Sequence, residues 1–149
     1  MKIYIGADHQ GFHLKADLIK DLVRQGFEVV DKGNKKMEPE DNFPDYAKLV
    51  VGAVLTSNDP DPRGILICGS GQGMSMFANR FKGIRASLVW SRDEARLARN
   101  DDDSNVLCLP AAAVSDSEIG LIIQTWLTTD FAGAPRFKRR LAAMDEFGS

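Results

Sequence analysis

The run Gly64-Ile65-Leu66-Ile67-Cys68 constrains this chain more than any other feature. Its apolar residues are consecutive, whereas a strand with one wet face alternates apolar and polar positions, so it reads as a strand covered on both sides. Strands of that kind belong to parallel sheets, whose crossover connections lay helices over both faces. The remaining sequence repeats the unit. Ile3-Tyr4-Ile5-Gly6-Ala7 is a β-favouring run, and from Gly11 the apolar residues switch to helical spacing at Leu14, Leu18, Leu22 and Val23, with Gly26 where a C′ glycine ends a helix. Phe27 to Val30 reads as a second strand ended by Asp31-Lys32-Gly33, and the polar stretch from Asn34 to Pro44 as a surface loop.

Tyr46, Leu49, Val50, Ala53 and Val54 mark a helix, broken by Asn58-Asp59-Pro60-Asp61-Pro62 before the central strand. Beyond Gly73 a short helix carries Met74, Phe77 and Ala78. A strand at Arg85 to Val89, a helix from about Arg92 to Arg99, a strand at Val106 to Leu109 and a helix bearing Ile119, Ile122, Ile123, Trp126 and Leu127 follow. Five βα units predict an α/β fold, a parallel sheet with helices on both sides and ligands at the carboxyl ends of the strands. A last helix after Pro135, at about residues 136–146, projects basic residues.

The 149 residues, 44% hydrophobic and 27% charged, suit one domain spanning 1–149 with one buried core and exclude disordered, collagen-like and membrane classes. Nineteen basic against 21 acidic residues leave a net charge of -2, which offers no global attraction to nucleic acid or an anionic membrane, so an anion site must be local. Two cysteines make no secreted disulfide framework, and the opening Met1 to Ala7, interrupted by Lys2 and stopped by Asp8, is neither signal peptide nor membrane span; the expected compartment is the cytoplasm. The closing Glu146-Phe147-Gly148-Ser149 is kept out of the functional argument.

Three strand-end or helix-face clusters carry candidate chemistry. Asp8-His9 ends the first strand, where a carboxylate and an imidazole divide proton shuttling and anion binding, or where the aspartate merely caps a helix beside an incidental histidine. His9 and His13 lie four apart with no third ligand in view, so no metal site is expected. The third strand ends in Cys68-Gly69-Ser70-Gly71-Gln72-Gly73-Met74-Ser75. Alternate glycines let backbone approach a ligand, and successive N–H groups at a helix start form an oxyanion or phosphate cradle, or simply a tight turn. The dinucleotide fingerprint fails, since Met74 stands at its sixth position and the motif follows the third strand; the Walker lysine is absent. A thiol beside a helix start is where a thiolate is favoured, which makes Cys68 a candidate base or nucleophile, while Cys108 reads as core. Arg136 and Arg140 share a helix face near Lys138 and Arg139, either a fork for phosphate or a solvated basic face.

With Ile5 to Lys15, Asp31-Lys32-Gly33, Phe43-Pro44-Asp45-Tyr46-Ala47, Gly64 to Gly71 and Ala78 to Ala86 in one order, the chain resembles the family of ribose-5-phosphate isomerase B and galactose-6-phosphate isomerase. The resemblance implies a three-layer α/β/α sandwich with a five-stranded, Rossmann-like parallel sheet. It implies a homodimer or dimer of dimers with sites between subunits, the last helix packing on a partner, and a cofactor-free aldose–ketose isomerisation of a phosphorylated sugar through a cis-enediolate. A carbon acid beside a carbonyl needs a base for one proton and donors for the charge that moves onto oxygen. The resemblance makes Cys68 that base, Ser70 with the N–H groups of Gly69, Gly71, Gly73, Met74 and Ser75 the anion-stabilising loop, Asp8 the proton carrier, and His9, Arg136 and Arg140 the phosphate ligands.

Two positions depart from that pattern. Relatives active on ribose 5-phosphate carry a His-Asn-Asp run whose histidine opens the sugar ring; here the run is Asp101-Asp102-Asp103, and a second phosphate arginine is replaced by Ala112. Three readings follow: Asp101 is itself the ring-opening acid, kept protonated by Asp102 and Asp103, with Asp102 beside the substrate; the substrate needs no ring opening; or the chain is a non-catalytic sugar-phosphate-binding subunit that pairs with an active paralogue. The retained Cys68, Ser70 and Asp8 argue against the last, since a pure binding module needs no base.

Overall fold

In a computed structural model the described residues are 1–147, and five parallel strands stand in the order β2-β1-β3-β5-β4. The strands are β1 (Lys2–Ala7), β2 (Glu28–Asp31), β3 (Pro62–Cys68), β4 (Ala86–Leu88) and β5 (Val106–Pro110). The helices are α1 (Phe12–Arg24), α2 (Phe43–Thr56), α3 (Gln72–Ala78), α4 (Arg92–Asn100), α5 (Asp116–Thr128) and α6 (Pro135–Asp145). The expected five-stranded α/β/α sandwich is what forms. Gly148 and Ser149, the end of the tail set aside above, lie outside the described residues.

Period-two geometry splits the core into two layers. Ile3, Ile5, Ala7, Ile65, Ile67, Leu107 and Leu109 face α1, α4 and α5, where Trp126 is fully buried. Tyr4, Leu66, Cys68, Val106 and Cys108 face α2 and α3. Small residues set the spacing on that second side: a Cβ on Gly6 would meet Val50 Cγ2 at 2.9 Å and one on Gly64 would meet Val50 Cγ1 at 3.0 Å. The α1 stop follows the reading of Gly26. Its φ is +94°, its N–H bonds Val23 O at 3.0 Å, and Phe27 N–H bonds Leu22 O at 3.1 Å, the paired bonds of a Schellman end.

The differences are local. Val23 and Leu49, assigned to buried stripes, are 55% and 48% exposed. Each neighbours the true core residue, Leu22 or Val50, and one helical step turns a side chain about 100° away. Helix α2 begins at Phe43, so the loop ends at Asn42, two residues before the expected Pro44, which instead occupies the first turn where proline fits. Strand β4 is trimmed at both ends to Ala86–Leu88, and β2 slides one residue to Glu28–Asp31.

The sheet order decides where a ligand belongs. The connection from β1 leads outward to β2, and the path from β3 leads to the other side, so the chain diverges between adjacent β1 and β3. Beyond the carboxyl ends of two such strands the connections part and leave a crevice. Asp8 follows β1 and Gly69 follows β3 at that point.

Candidate active site at the carboxyl edge

Cys68 shares its parity with Leu66 and therefore faces the α2–α3 layer at the last position of β3. It is 5% exposed, and its Sγ accepts the Gly71 N–H at 3.1 Å. Burial pushes the thiol up from its ordinary value; the N–H groups of Met74, Gly71 and Ser70 pull it down, and the nearby Asp8 carboxylate raises it. Burial wins in the free chain, which corrects the expectation that the thiolate is favoured at rest. The loop differs from an open cradle in one respect: Gly71 and Met74 turn their amides on the sulfur itself. Met74 has 0% exposed surface, so it reaches the site through its backbone alone.

Gly71 must be glycine for its turn. Its φ is +73°, and a Cβ there would lie 2.5 Å from Leu88 Cδ1 and 3.2 Å from the Leu109 carbonyl carbon. Ser70 is exposed and its Oγ accepts the Gln72 N–H at 3.3 Å, capping the turn into α3. Gly69 lies under the Gln10 carboxamide, and a Cβ on Gly73 would come 2.6 Å from the Phe43 ring. Ser75 N–H bonds Gly71 O at 3.1 Å and is spent within the helix.

Asp8 is both a cap and a buried carboxyl. Its Oδ1 accepts the Gln10 N–H at 2.9 Å as the cap of a short 3-10 turn, His9–Gly11. It is also 5% exposed, and burial lifts its carboxyl above the usual range against the pull of the Gln10 N–H and of His9. A buried carboxyl raised in this way exchanges protons more readily near neutral pH.

Sequence reasoning missed the residue that holds His9. Asp41, from the loop before α2, accepts His9 N–H at 3.1 Å and His9 Nδ1 at 2.8 Å on the same oxygen, and Asn34 Nδ2 at 3.1 Å on the other. Lys15 was missed as well. Buried at 2% exposure, it binds Asp31 Oδ1 at 2.8 Å and Asn34 O at 2.9 Å, and a Cβ on Gly33 would lie 2.7 Å from its Nζ, which accounts for Asp31-Lys32-Gly33. Asp8, His9 and Asp41 bring ligand atoms within 4.8 Å of one another, the one set of that kind among the described residues. The His9–Asp41 hydrogen bond accounts for that closeness, since it occupies Nδ1.

The other expected site residues stand elsewhere. Asp101, Asp102 and Asp103 follow α4 and precede β5, at the amino edge of the sheet. Asp103 is turned inward with φ +47°, its carboxylate gripped by Arg99 Nη1 at 2.8 Å and Arg85 Nη2 at 3.1 Å, so it is structural. Asp101 accepts Asn100 Nδ2 at 2.8 Å. The carboxyl pushed up in this run is that of Asp102, by burial and by Asp101, with Arg140 opposing. Arg136 and Arg140 are exposed on α6, which reaches the same edge: Ala132 N–H bonds Asn100 O at 3.0 Å, and a cavity of about 450 Å³ there is bounded by Asp102, Arg85, Met144 and Asp145. The ladder from Gly64↔Val106 to Cys68↔Pro110 separates the two edges by roughly 13 Å. Ala112 lies on the carboxyl edge, its N–H bonded to Gly69 O at 2.9 Å.

A doubly covered parallel sheet with a thiol, a raised carboxyl and an imidazole at its switch point defines a small α/β protein with proton-exchanging groups gathered at one edge. The chain belongs to the Ribose/Galactose Isomerase family, whose model matches residues 3–144. It is 44% identical over 137 residues to a probable ribose-5-phosphate isomerase B of Mycoplasma pneumoniae, covering 92% of this chain and 89% of that protein. It is 40% identical over 143 residues to the Escherichia coli ribose-5-phosphate isomerase B, covering 96% and 93%. Among solved structures, the Thermotoga maritima ribose 5-phosphate isomerase superimposes with a TM-score of 0.91 at 43% identity, covering 97% of each chain. The Mycoplasma genitalium ribose-5-phosphate isomerase B with bound ribulose-5-phosphate gives 0.92 at 39%, covering 98% and 95%.

Proposed function

We propose that this chain is a cytoplasmic, cofactor-free aldose–ketose isomerase of a phosphorylated sugar, with Cys68 as the base. The observation that carries the reading is the Cys68 sulfur, set at the carboxyl edge and met by the Gly71 N–H at 3.1 Å. A thiol raised by burial but ringed by amides is a base whose thiolate the site already solvates. It takes the proton from the carbon beside the carbonyl and returns it to the neighbouring carbon, the exposed Ser70 hydroxyl and the Gly69 and Gly73 amides hold the charge on the enediolate oxygen, and Asp8 moves the proton between the sugar oxygens. His9, with Arg136 and Arg140, holds the phosphate, which does not react and serves to place the carbons against the sulfur. Relatives acting on ribose 5-phosphate, one of them holding ribulose-5-phosphate, support the substrate class.

Because Arg136 and Arg140 stand at the opposite edge from Cys68, the working unit is a dimer or dimer of dimers in which one copy's amino edge closes over the partner's carboxyl edge. The missing imidazole at Asp101 and missing guanidinium at Ala112 favour a sugar that is already open-chain, a tetrose phosphate being the simplest. Assaying phosphorylated tetroses, pentoses and hexoses while following deuterium exchange at the carbon next to the carbonyl tests this. Exchange with at least one sugar is expected; exchange with none points instead to the non-catalytic binding subunit.

A further inference from the structure

The buried carboxylate of Asp41 has one cationic partner among the described ion pairs, and that partner is His9. Its side chain is 5% exposed, its two oxygens take three hydrogen bonds from His9 N–H, His9 Nδ1 and Asn34 Nδ2, and the Tyr46 hydroxyl of α2 also reaches it. A carboxylate only accepts, so the proton of the 2.8 Å bond sits on Nδ1. A neutral ring in that orientation would offer a lone pair at Nε2 and would leave a buried charge uncompensated; a charged ring offers an N–H at Nε2 and neutralises Asp41. The other acidic group facing the ring, Asp8 at the end of β1, acts in the same sense.

We propose that Asp41 is a positioning residue for the carboxyl-edge site: it holds His9 as an imidazolium, Nδ1–H turned into the protein, so that Nε2–H is presented to a phosphate oxygen of the substrate. The assignment of that oxygen rests on the sugar-phosphate reading; the tautomer and charge do not. Asp41 acts through His9 and touches no reacting atom. Its location matters too, because Asn34, held by Lys15 through its carbonyl oxygen, ties the loop carrying Asp41 to the end of β2. The first and second strands thereby fix one ring.

The chain holds two histidines, so His13→Gln, on the exposed face of α1, leaves His9 as the single imidazole in an NMR titration. In that background the His9 midpoint is expected above the ordinary histidine value, with Nδ1 protonated throughout; Asp41→Asn lowers the midpoint, and excess inorganic phosphate raises it. On the sugar phosphate that turns over, Asp41→Asn raises KM by about tenfold, the difference between a charged and a neutral donor, with a smaller fall in kcat, and the KM gap widens as pH rises from the variant's midpoint towards the parent's and closes above it. A parent midpoint at or below the ordinary value, no response to phosphate, or a KM gap that is flat with pH overturns the proposal, the last by reducing Asp41 to a loop fastener. If no sugar turns over, the isomerase reading fails, while the titration and phosphate response still decide the charge of His9. The parent titration stands even if Asp41→Asn does not fold.

Discussion

The two edges of the sheet are built on different principles. At the carboxyl edge the polar groups are buried and aimed: Cys68 and Asp8 are each 5% exposed, and burial is the largest influence on both. At the amino edge the basic candidates are exposed: Arg136 and Arg140 are solvent-facing, Arg136 over the Phe137 ring at 4.3 Å, and of the three aspartates Asp103 alone is held by two guanidinium groups. A buried thiol and carboxyl are preorganised for chemistry, while exposed guanidinium groups wait for a charge to order them. Under the proposed reading, the contrast makes one chain carry two incomplete halves, one that reacts and one that grips.

Removing the reacting half has the largest expected effect. Cys68→Ala lowers isomerisation, and deuterium exchange with it, by about 10²–10⁴-fold, the range for loss of a positioned proton-transfer group. A variant that keeps the parent rate takes Cys68 out of its role and breaks the division between edges.

Joining halves from different chains comes next. Cys68→Ala and the double variant Arg136→Ala/Arg140→Ala are each expected to be nearly inactive, yet mixed by co-expression they restore activity. In a two-fold dimer half of the random assemblies are mixed and one site in each is intact, so recovery approaches about a quarter of the parent rate. No recovery means that both edges of a single chain serve the same site.

Much of the fold is legible in the sequence. The uninterrupted Gly64 to Cys68 run fixes a two-sided strand, and the helix-period residues between strands fix the layers, because burial on both faces leaves little freedom. The placing of Asp8 and Cys68 together at the carboxyl edge is legible for the same reason, since strand ends are where ligands meet a parallel sheet. Asp41 was not: it is one acid among Glu38, Glu40 and Asp45, in a stretch with no periodicity, and only the tertiary fold brings it to His9, 32 residues away. Lys15 was hidden likewise, a buried cation at a position where a helix surface ordinarily puts a solvated one. That Asp101 and Arg140 stand at the edge opposite Cys68 follows from strand direction, whereas the expectation of sites between subunits came only from the family resemblance.

The turn that aims the amides at the sulfur gives a smaller effect. Gly71→Ala forces a φ of +73° on a residue with a Cβ and drives it toward Leu88 and the β5 backbone, at a cost of about 1–3 kcal/mol. A lower thermal midpoint, with slower alkylation of Cys68 once the Gly71 N–H is displaced, is expected; an unchanged midpoint contradicts the tightness of the carboxyl edge. The pH dependence has a definite sign. Burial raises the Cys68 thiol, so its reactive thiolate grows as pH rises, and kcat/KM climbs from neutral into the alkaline range, as does the iodoacetamide reaction rate. Cys108, wholly buried and pushed higher still, stays unmodified in the folded protein. A profile already flat below neutral pH means a thiolate at rest, and then the amides, not burial, dominate that edge.

The smallest expected effect is a gain, and it tests the amino edge alone. Asp101→His places a protonatable ring beside Asp102, whose carboxyl is held above the usual range, and near Arg140, where a partner's sugar would lie under the divided-site arrangement. If the aspartate run is what withholds ring opening, turnover of ribose 5-phosphate rises. The rise stays below the roughly 10²-fold floor of proton-transfer catalysis, because uncatalysed opening already supplies some open-chain sugar and Cys68 acts only after that step. An open-chain tetrose phosphate should show no gain, since it has no ring to open. Equal gains on both sugars mean that the new cation simply attracts phosphate, and no gain on either moves the limit on ribose 5-phosphate to Ala112, back on the edge that holds the thiol.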